Sequence, residues 1–296
     1  VRNLTQPLSQ VAQVMNQVQS MGAAGERVFE FLYEEEETRD PDDAISTLNV
    51  EGFVEFDHVK FGYNSDQIII NDFSASVKPG QKIAIVGPTG AGKTTIVKLL
   101  MRFYDVNSGS IKIDGIDIRN ISRHCLRDNI AMVLQDTWLY SDTIMENIRY
   151  GNKNASDEEV VAAAKAARAD RFIKTLPGGY NMVLNEDATN ISEGQKQLLT
   201  IARAILADRK LLILDEATSS VDTRTEVRIQ EAMDQLMKGR TTFVIAHRLS
   251  TIRNADLILV MNHGDIIEQG SHDELLAKGG AYADLYNSQF DEVEAS

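Results

Sequence analysis

A glycine-rich turn between an apolar run and a helical pattern constrains the fold of this chain more than any other feature. Residues 82–86 form the apolar run, residues 87–94 have the sequence GPTGAGKT, and the apolar residues that follow recur at helical spacing. This segment satisfies G-x-x-x-x-G-K-[ST] in the strand, loop and helix setting that a P-loop requires. Glycines allow the backbone to curl until successive N–H groups and the helix N-terminus point at phosphate oxygens. The sequence therefore predicts a nucleotide phosphate site formed by Gly87, Pro88, Thr89, Gly90, Ala91, Gly92, Lys93, Thr94 and Thr95.

The chemistry expected at this site depends on two side chains of the loop and on three that follow later strands. Lys93 is expected to reach the β and γ phosphates, while the Thr94 hydroxyl ligates Mg²⁺. Asp215 and Glu216 follow a buried strand at the edge where α/β sheets bind ligands. We expect Asp215 to hold Mg²⁺ through water and Glu216 to act as general base; the alternative is that both acids begin a loop and cap the next helix. His247 ends another buried strand and is expected to contact the γ phosphate, although a lone histidine is more often structural.

The pattern of strands predicts an α/β fold built on a mainly parallel sheet. Residues 211–214, 242–246 and 257–260 are short apolar runs separated by helical stretches, which is typical of strands buried on both faces. Before the P-loop, apolar and polar residues alternate in the segments 54–59 and 73–77. Alternation is typical of half-buried strands, so a small antiparallel sheet is expected at the start of this domain.

Composition limits the classes of partner. The formal net charge of -14 and the pI near 4.8 argue against nucleic-acid binding, which requires clustered Lys and Arg. No run approaches the roughly 18 consecutive apolar residues of a membrane-spanning helix, so the chain is expected to be soluble. The single cysteine, Cys125, excludes an intramolecular disulfide and fits a reducing compartment, for which the cytosol is the default.

The first 51 residues differ from the rest of the chain. Residues 1–33 carry apolar residues at helical spacing, which predicts one long helix that begins in mid-pattern, as if cut from a longer protein. The alternative is an ordinary amphipathic helix lying on the domain. Residues 34–51 contain an acidic run typical of a solvated linker, and we expect the main domain to begin at residue 52.

The segment NISEGQKQ at residues 190–197 resembles the signature LSGGQ of ABC transporters. The resemblance extends over residues 52–290, leaving a tail at 291–296, and implies a P-loop NTPase core of the RecA-like kind with a helical subdomain inserted at about 136–200. It implies ATP as the nucleotide. In this family the helix N-terminus carrying Ser192, Gly194 and Gln195 faces the γ phosphate bound by a second subunit, which is a helix-dipole anion site. Ser192 and Gln195 also fit a capping box, and both interpretations can hold together.

Further matches occur in the order of the family's motifs. Tyr63 resembles the aromatic residue that stacks on adenine, although core packing at a strand end is the simpler reading of that tyrosine alone. Gln135 is similar to the glutamine that contacts Mg²⁺ and water and links the catalytic core to the membrane domain. Asp222 lies in a segment similar to the D-loop, which crosses to the partner's site, and His247 matches the switch histidine.

Two segments resemble the exporter branch of the family. Residues 143–148 have the sequence TIMENI, similar to an exporter pattern T-I-x-E-N-I. The end of the leading helix, at residues 27–32, resembles the cytoplasmic extension of the last transmembrane helix in fused exporters. The resemblance therefore implies a membrane domain upstream in the same polypeptide, a location at the cytoplasmic face of the membrane, and export of a multidrug or lipid substrate that these residues do not identify.

The signature departs from the family pattern. Glu193 stands where the family has its first signature glycine, and residues 185–188 replace the usual G-E-R-G. A carboxylate near a partner's γ phosphate adds like-charge repulsion, which predicts an impaired signature beside intact P-loop and acidic motifs. We therefore expect the second subunit to be a different chain. Two alternatives are a regulatory module without hydrolysis, which Glu216 argues against, and a soluble ABC-type ATPase, which the leading helix argues against.

Overall fold

The computed structural model describes residues 2–34, 36–64, 67–134, 137–215, 221–246 and 249–294. The chain divides into two compact units, Val1–Arg39 and Asp40–Ser296. In the described part of the first unit, the helix is α1 (Arg2–Leu32), which includes Pro7. It covers the apolar residues whose helical spacing predicts it. Its larger apolar side chains are exposed, among them Val11, Met15 and Phe29. No helix in the described part of the chain is long and apolar enough to cross a membrane.

The second unit begins with the expected antiparallel sheet. It contains β1 (Val54–Phe61), β2 (Ile70–Val77), β4 (Ser108–Ile113) and β5 (Ile116–Asp117), in the order β2-β1-β4-β5. The buried side chains of β1 shift from Val54 and Phe56 to Val59 and Phe61, because the pairing register is interrupted where His58 adopts a φ of 47°. This irregularity keeps the apolar residues on one face despite the broken alternation.

The second sheet carries the site. Its order is β10-β9-β3-β8-β7-β6, with all neighbours parallel except β9 and β10. The strands are β3 (Lys82–Val86), β6 (Ile130–Val133), β7 (Leu211–Asp215), β8 (Thr241–Ile245), β9 (Leu257–Asn262) and β10 (Asp265–Gly270). The four predicted apolar runs are thus β3, β7, β8 and β9, and the mainly parallel sheet is confirmed.

Alternate residues of these strands belong to two separate cores. Ile83 and Ile85 pack on the side of the antiparallel sheet, together with α2 (Lys93–Leu100) and α3 (Arg123–Asp128). Ala84 and Val86 pack on the other side, against helices that follow β6. Because both faces are covered, the strands are apolar along their whole length. The carboxyl edge of this sandwiched sheet is the position left for a ligand.

The helices on the second side complete the unit. They are α4 (Ile144–Arg149), α5 (Asp157–Ala166), α6 (Asp170–Ile173), α7 (Glu193–Ala207) and α8 (Thr223–Met237), with α7 packed against α4, α5 and α8. Short 3-10 turns lie at Ile118–Asn120, Gly179–Asn181 and Glu186–Ala188. The remaining helices are α9 (Leu249–Arg253), α10 (His272–Lys278) and α11 (Ala281–Glu294).

The TIMENI segment has a clear structural role. Thr143 caps α4 by accepting a hydrogen bond from the N–H of Glu146 at 3.1 Å. Asn147 is completely buried; its amide nitrogen donates to the carbonyl oxygens of Tyr140 and Thr143, each at 3.0 Å. Arg203 on α7 donates through its Nε to the carbonyl oxygen of Asn147 at 2.9 Å. The TIMENI segment therefore caps the start of α4, and its bond with Arg203 attaches α4 to α7.

Candidate ATP site and signature helix

The P-loop joins β3 to α2 through six residues that end at Gly92. Gly87 has a φ of 147°, and a Cβ there would lie 2.1 Å from the carbonyl oxygen of Met261, so any side chain would collide with β9. Gly92 has a φ of 99° and is the N-cap of α2, with no side-chain hydrogen bond to the first turn. A helix start without a side-chain cap leaves its N–H donors to a ligand. This cradle fits a phosphate group.

Lys93 lies at the start of α2 and turns back over the loop. Its Nζ donates to the carbonyl oxygens of Gly87 at 2.7 Å and Pro88 at 2.9 Å. Partial removal from water lowers the pKa of Lys93, and the negative charge of Asp215 acts in the opposite direction. Asp215 is the last residue of β7, half-buried at the same sheet edge. A cation at the start of α2 and a carboxylate at the end of β7 therefore lie at the cradle, as binding of a phosphate with Mg²⁺ requires.

Tyr63 belongs to an aromatic cluster beside α2. Its ring packs edge-on against Phe61 and Tyr104, with centroid distances of 5.1 and 5.0 Å. Lys98 Nζ lies 5.5 Å from the ring centroid, and the Tyr63 hydroxyl is 3.4 Å from the Thr95 hydroxyl. Tyr63 is nevertheless 40% exposed, so part of the ring is open for a ligand to stack on. Thr95 itself is buried and helps to orient this ring.

The signature segment forms the N-terminus of α7. The Ser192 Oγ accepts from the N–H of Gln195 at 3.3 Å, and the Gln195 Oε1 accepts from the N–H of Ser192 at 3.0 Å. This reciprocal pair is a complete capping box. A Cβ on Gly194 would lie 2.5 Å from the Thr225 Cγ2 and 2.9 Å from the Val221 Cγ1. The close approach of α8 thus requires glycine at this position, a need that spacing along the sequence does not reveal.

Glu193 has a charged neighbour on the same helix. Its Oε1 lies 2.8 Å from Lys196 Nζ, one helical turn later. Lys196 is nearly buried, and its ammonium also donates to the carbonyl oxygen of Asp187 at 2.9 Å, while the Glu193 side chain is 62% exposed. The carboxylate is therefore compensated in part, and its repulsion of a phosphate is weaker than that of an isolated charge.

Asp222 caps α8. Its Oδ1 accepts from the N–H groups of Arg224 and Thr225, both at 3.1 Å. Hydrogen bonding from Thr225 and Arg224 holds the pKa of Asp222 below its ordinary value. The residue that resembles the D-loop aspartate thus has a local role in starting the helix.

Gln135, Glu216 and His247 lie outside the described residues, as do Ser219 and Ser220. In the sequence, the first three come within two residues of the carboxyl ends of β6, β7 and β8. Those three strands are neighbours in the sheet, and β8 also pairs with β3, which leads into the P-loop. The sheet order therefore brings the last residues of β6, β7 and β8 to a single edge of the sheet.

Comparison with known proteins agrees with this arrangement. The family model described as ABC transporter matches residues 70–219. A fatty acid ABC transporter ATP-binding/permease protein of Mycobacterium tuberculosis is 56% identical over 282 residues, 95% of this chain and 44% of that protein. An ATP-dependent lipid A-core flippase of Desulfotalea psychrophila is 47% identical over 283 residues, 96% of this chain and 49% of the flippase.

A solved structure gives the same result for the fold. The structure of a bacterial Atm1-family ABC exporter with ATP bound superposes with a TM-score of 0.82 at 41% identity, covering 98% of this chain and 50% of the exporter. The chain spans about half the length of the relatives it matches. It belongs to the ABC transporter family, as an ATPase domain of that family.

Proposed function

We propose that this chain binds and hydrolyses ATP to drive export through a membrane domain in the same polypeptide. The observation that carries the proposal is the sheet edge, where the uncapped N-terminus of α2, Lys93 and Asp215 converge on one phosphate cradle. The relatives that support the membrane domain are named as ATP-binding/permease protein, flippase and exporter. These names support a membrane transporter, and a location of the ATPase at the cytoplasmic face of the membrane is part of this proposal.

In this proposal the motif residues divide the work of phosphoryl transfer. The P-loop N–H groups and Lys93 bind the β and γ phosphates and neutralise their charge. Thr94, Asp215 and Gln135 would hold Mg²⁺, which when bound offsets charge developing on the phosphate oxygens. Glu216 takes the proton from the attacking water, and His247 contacts the γ phosphate. Tyr63 stacks on the adenine through the exposed part of its ring.

We infer that the membrane domain contacts the groove between β6 and α7. This groove has a volume of about 360 Å³, and its lining includes Leu134, which directly precedes Gln135 in the sequence. Trp138 and Tyr150 are exposed there, and the Arg203 guanidinium lies 5.1 Å from the Tyr150 ring centroid. Exposed aromatic residues beside arginine are typical anchors of protein interfaces. Contact at this groove would link the membrane domain to the Gln135 segment.

Hydrolysis requires a second subunit in this proposal. The γ phosphate held by one P-loop meets Ser192, Gly194 and Gln195 of another subunit. Asp222 lies in the segment that crosses to the site of the other subunit. That the second subunit is a different chain is supported by Glu193, whose carboxylate replaces a glycine of the family signature. The ion pair with Lys196 reduces that support, because it lowers the repulsion. A homodimer of the full-length chain with high turnover at both sites would contradict the pairing with a different chain.

The proposed substrate is an amphipathic lipid. Support comes from two relatives whose names specify a fatty acid and a lipid A core. Multidrug export, expected from the family resemblance, stays a prediction.

The experiment compares wild-type and Glu216→Gln full-length protein reconstituted in lipid vesicles. Glutamine keeps the shape and hydrogen bonding of the side chain but cannot act as a base. ATP binding should be retained while turnover falls on the order of 10²-fold or more. Turnover within a factor of two of wild type would overturn the assignment of the base.

A further inference from the structure

We propose that the groove between α5, α6 and α8 is a second anion site, one that binds a phosphate-bearing ligand. This groove has a volume of about 720 Å³ and shares no residue with the P-loop, α2 or the signature segment. We call it the basic groove. Its lining consists of Lys165, Arg168, Asp170, Arg171, Arg224, Val227, Arg228 and Glu231.

The lining has an excess of positive charge that its own acids do not neutralise. Glu231 pairs with Arg168 at 3.0 Å. Asp170 accepts hydrogen bonds from Lys174 and from the Tyr180 hydroxyl, both at 2.9 Å, and neither of these groups lines the groove. Within the described residues, no ion pair involves the other four basic side chains of the lining, which are Lys165, Arg171, Arg224 and Arg228.

This excess contrasts with the rest of the chain. The whole sequence has 44 acidic and 30 basic residues, whereas the groove has five basic side chains and two acidic ones. In a protein with a net charge of -14, positive side chains usually gain stability by dispersing among the acids. A groove with a net excess of cations is suited to an anion that is not part of the chain.

The arginines of α8 occupy unfavourable positions for a helix. Arg224 lies in its first turn, where the helix dipole favours negative charge. Arg228 follows four residues later, so the two like charges are neighbours on one face. Each arrangement lowers the stability of the isolated helix. A bound anion would make both contributions to the stability of α8 favourable.

Arg168 adds a third local cost on the opposite wall. Its φ of 59° is in the left-handed region, where glycine or asparagine usually ends a helix. The ion pair with Glu231 joins this residue, just after α5, to the middle of α8. Three locally unfavourable features around one groove are a pattern expected of a functional site.

The side chains favour a phosphate over a nucleoside. Four of the five cations are arginines, whose planar guanidinium groups match the oxygens of phosphate in pairs. In the described part of the chain, Val227 is the only apolar side chain of the lining, and no aromatic ring is present for a base to stack on. The shared chemistry is therefore a phosphate group, which either a soluble polyphosphate or an anionic lipid headgroup would supply.

The test uses tripolyphosphate as the probe and weakens the competing P-loop site. Calorimetric titration is carried out at low salt on the chain with Lys93→Ala. We expect saturable binding that weakens at least about tenfold when Arg171→Gln and Arg228→Gln are added. Affinity should also fall steeply with salt concentration. Arg253→Gln, which neutralises an exposed arginine on α9 outside the groove, is the matched control and should leave affinity unchanged.

Thermal unfolding shows whether each variant is folded. If the combined variant does not fold, the titration is repeated with Arg228→Gln alone. Vesicles with and without phosphatidylglycerol distinguish the sources: groove-dependent binding to anionic vesicles identifies a headgroup, and binding of tripolyphosphate alone identifies a soluble ligand. Absence of binding, or equal weakening by Arg253→Gln, would overturn the proposal. Tight binding of oligoglutamate without tripolyphosphate binding would also overturn it, because the ligand would then be an acidic peptide.

Discussion

The two helix N-termini that bear on phosphate binding, those of α2 and α7, are built in opposite ways. Helix α2 begins after a glycine in the left-handed region and has no side-chain cap. Helix α7 begins with a serine and a glutamine that satisfy each other's N–H groups in a capping box. The first start is incomplete without a ligand, whereas the second is stable on its own.

The difference fits two kinds of phosphate contact. The P-loop surrounds a phosphate within its own chain, so a glycine-rich backbone that closes on the ligand is favourable there. The signature would meet a phosphate held by another subunit, so its surface has to be formed before that subunit arrives. The box still leaves the N–H groups of Glu193 and Gly194, in the first turn, without an intrahelical acceptor. These two donors are the ones available to a partner's phosphate.

The largest effect is expected from Gly87→Ala. The new Cβ would lie 2.1 Å from the Met261 carbonyl oxygen, at a φ of 147°. We expect a loss of about 3 kcal/mol in the free energy of unfolding, because neither backbone segment can move freely. Gly90→Ala is the matched control, since it has a φ of 83° and nothing within 4 Å of the new Cβ. It should cost about 1 kcal/mol in denaturant unfolding. Equal losses would show that the close approach to β9 is unimportant.

Lys93→Ala should affect ligand binding far more than folding. Losing a charged contact to the β and γ phosphates should weaken ATP binding about a hundredfold, or about 2.7 kcal/mol. In the absence of nucleotide, the two hydrogen bonds from Nζ to carbonyl oxygens are lost, at a cost of about 1 kcal/mol in unfolding. Titration with a fluorescent ATP analogue measures the first effect, and denaturant unfolding measures the second. A larger loss of stability than of affinity would make this lysine a structural residue.

Ser192→Ala is expected to have the smallest effect, and it separates the stability of α7 from ATP affinity. Removing the cap of α7 should lower the free energy of unfolding by about 1 kcal/mol. ATP affinity of the isolated chain should stay within a factor of two of wild type, because Ser192 serves the nucleotide of another subunit. Ser192→Thr keeps the hydroxyl cap and should restore most of the lost stability. A strong loss of ATP affinity in the monomer would mean that α7 acts on its own P-loop.

Local patterns were enough to predict the four central strands of the larger sheet and the P-loop. The strands β3, β7, β8 and β9 are continuous apolar runs because both faces are covered, and the glycine spacing of the loop is required by its backbone. Strand β6 has only four residues, and β10 lies at the edge of the sheet with partly buried and exposed residues alternating. Neither therefore had a sequence pattern distinct enough to predict a strand. The pairing of Glu193 with Lys196 was accessible from the i,i+3 spacing, but the burial of Lys196 was not.

Contacts between distant segments were beyond prediction. The need for Gly194 arises from α8, about thirty residues later in the sequence, and the basic groove combines residues of α5 and α6 with those of α8. Neither set of residues has a fixed spacing that a pattern could detect. Only packing brings them together.

In this proposal the P-loop of one subunit and the signature of another act on the same ATP, and changes on the two sides of that one site test it most directly. The full-length chain is coexpressed with its partner chain and reconstituted, with Lys93→Ala in this chain in one preparation. In a second preparation the signature serine of the partner is replaced by phenylalanine, whose ring would block a phosphate. Each change should leave the transporter nearly inactive, and the two together should lower turnover no further, because both remove the same site. Turnover close to wild type after the change in the partner's signature would contradict the shared site.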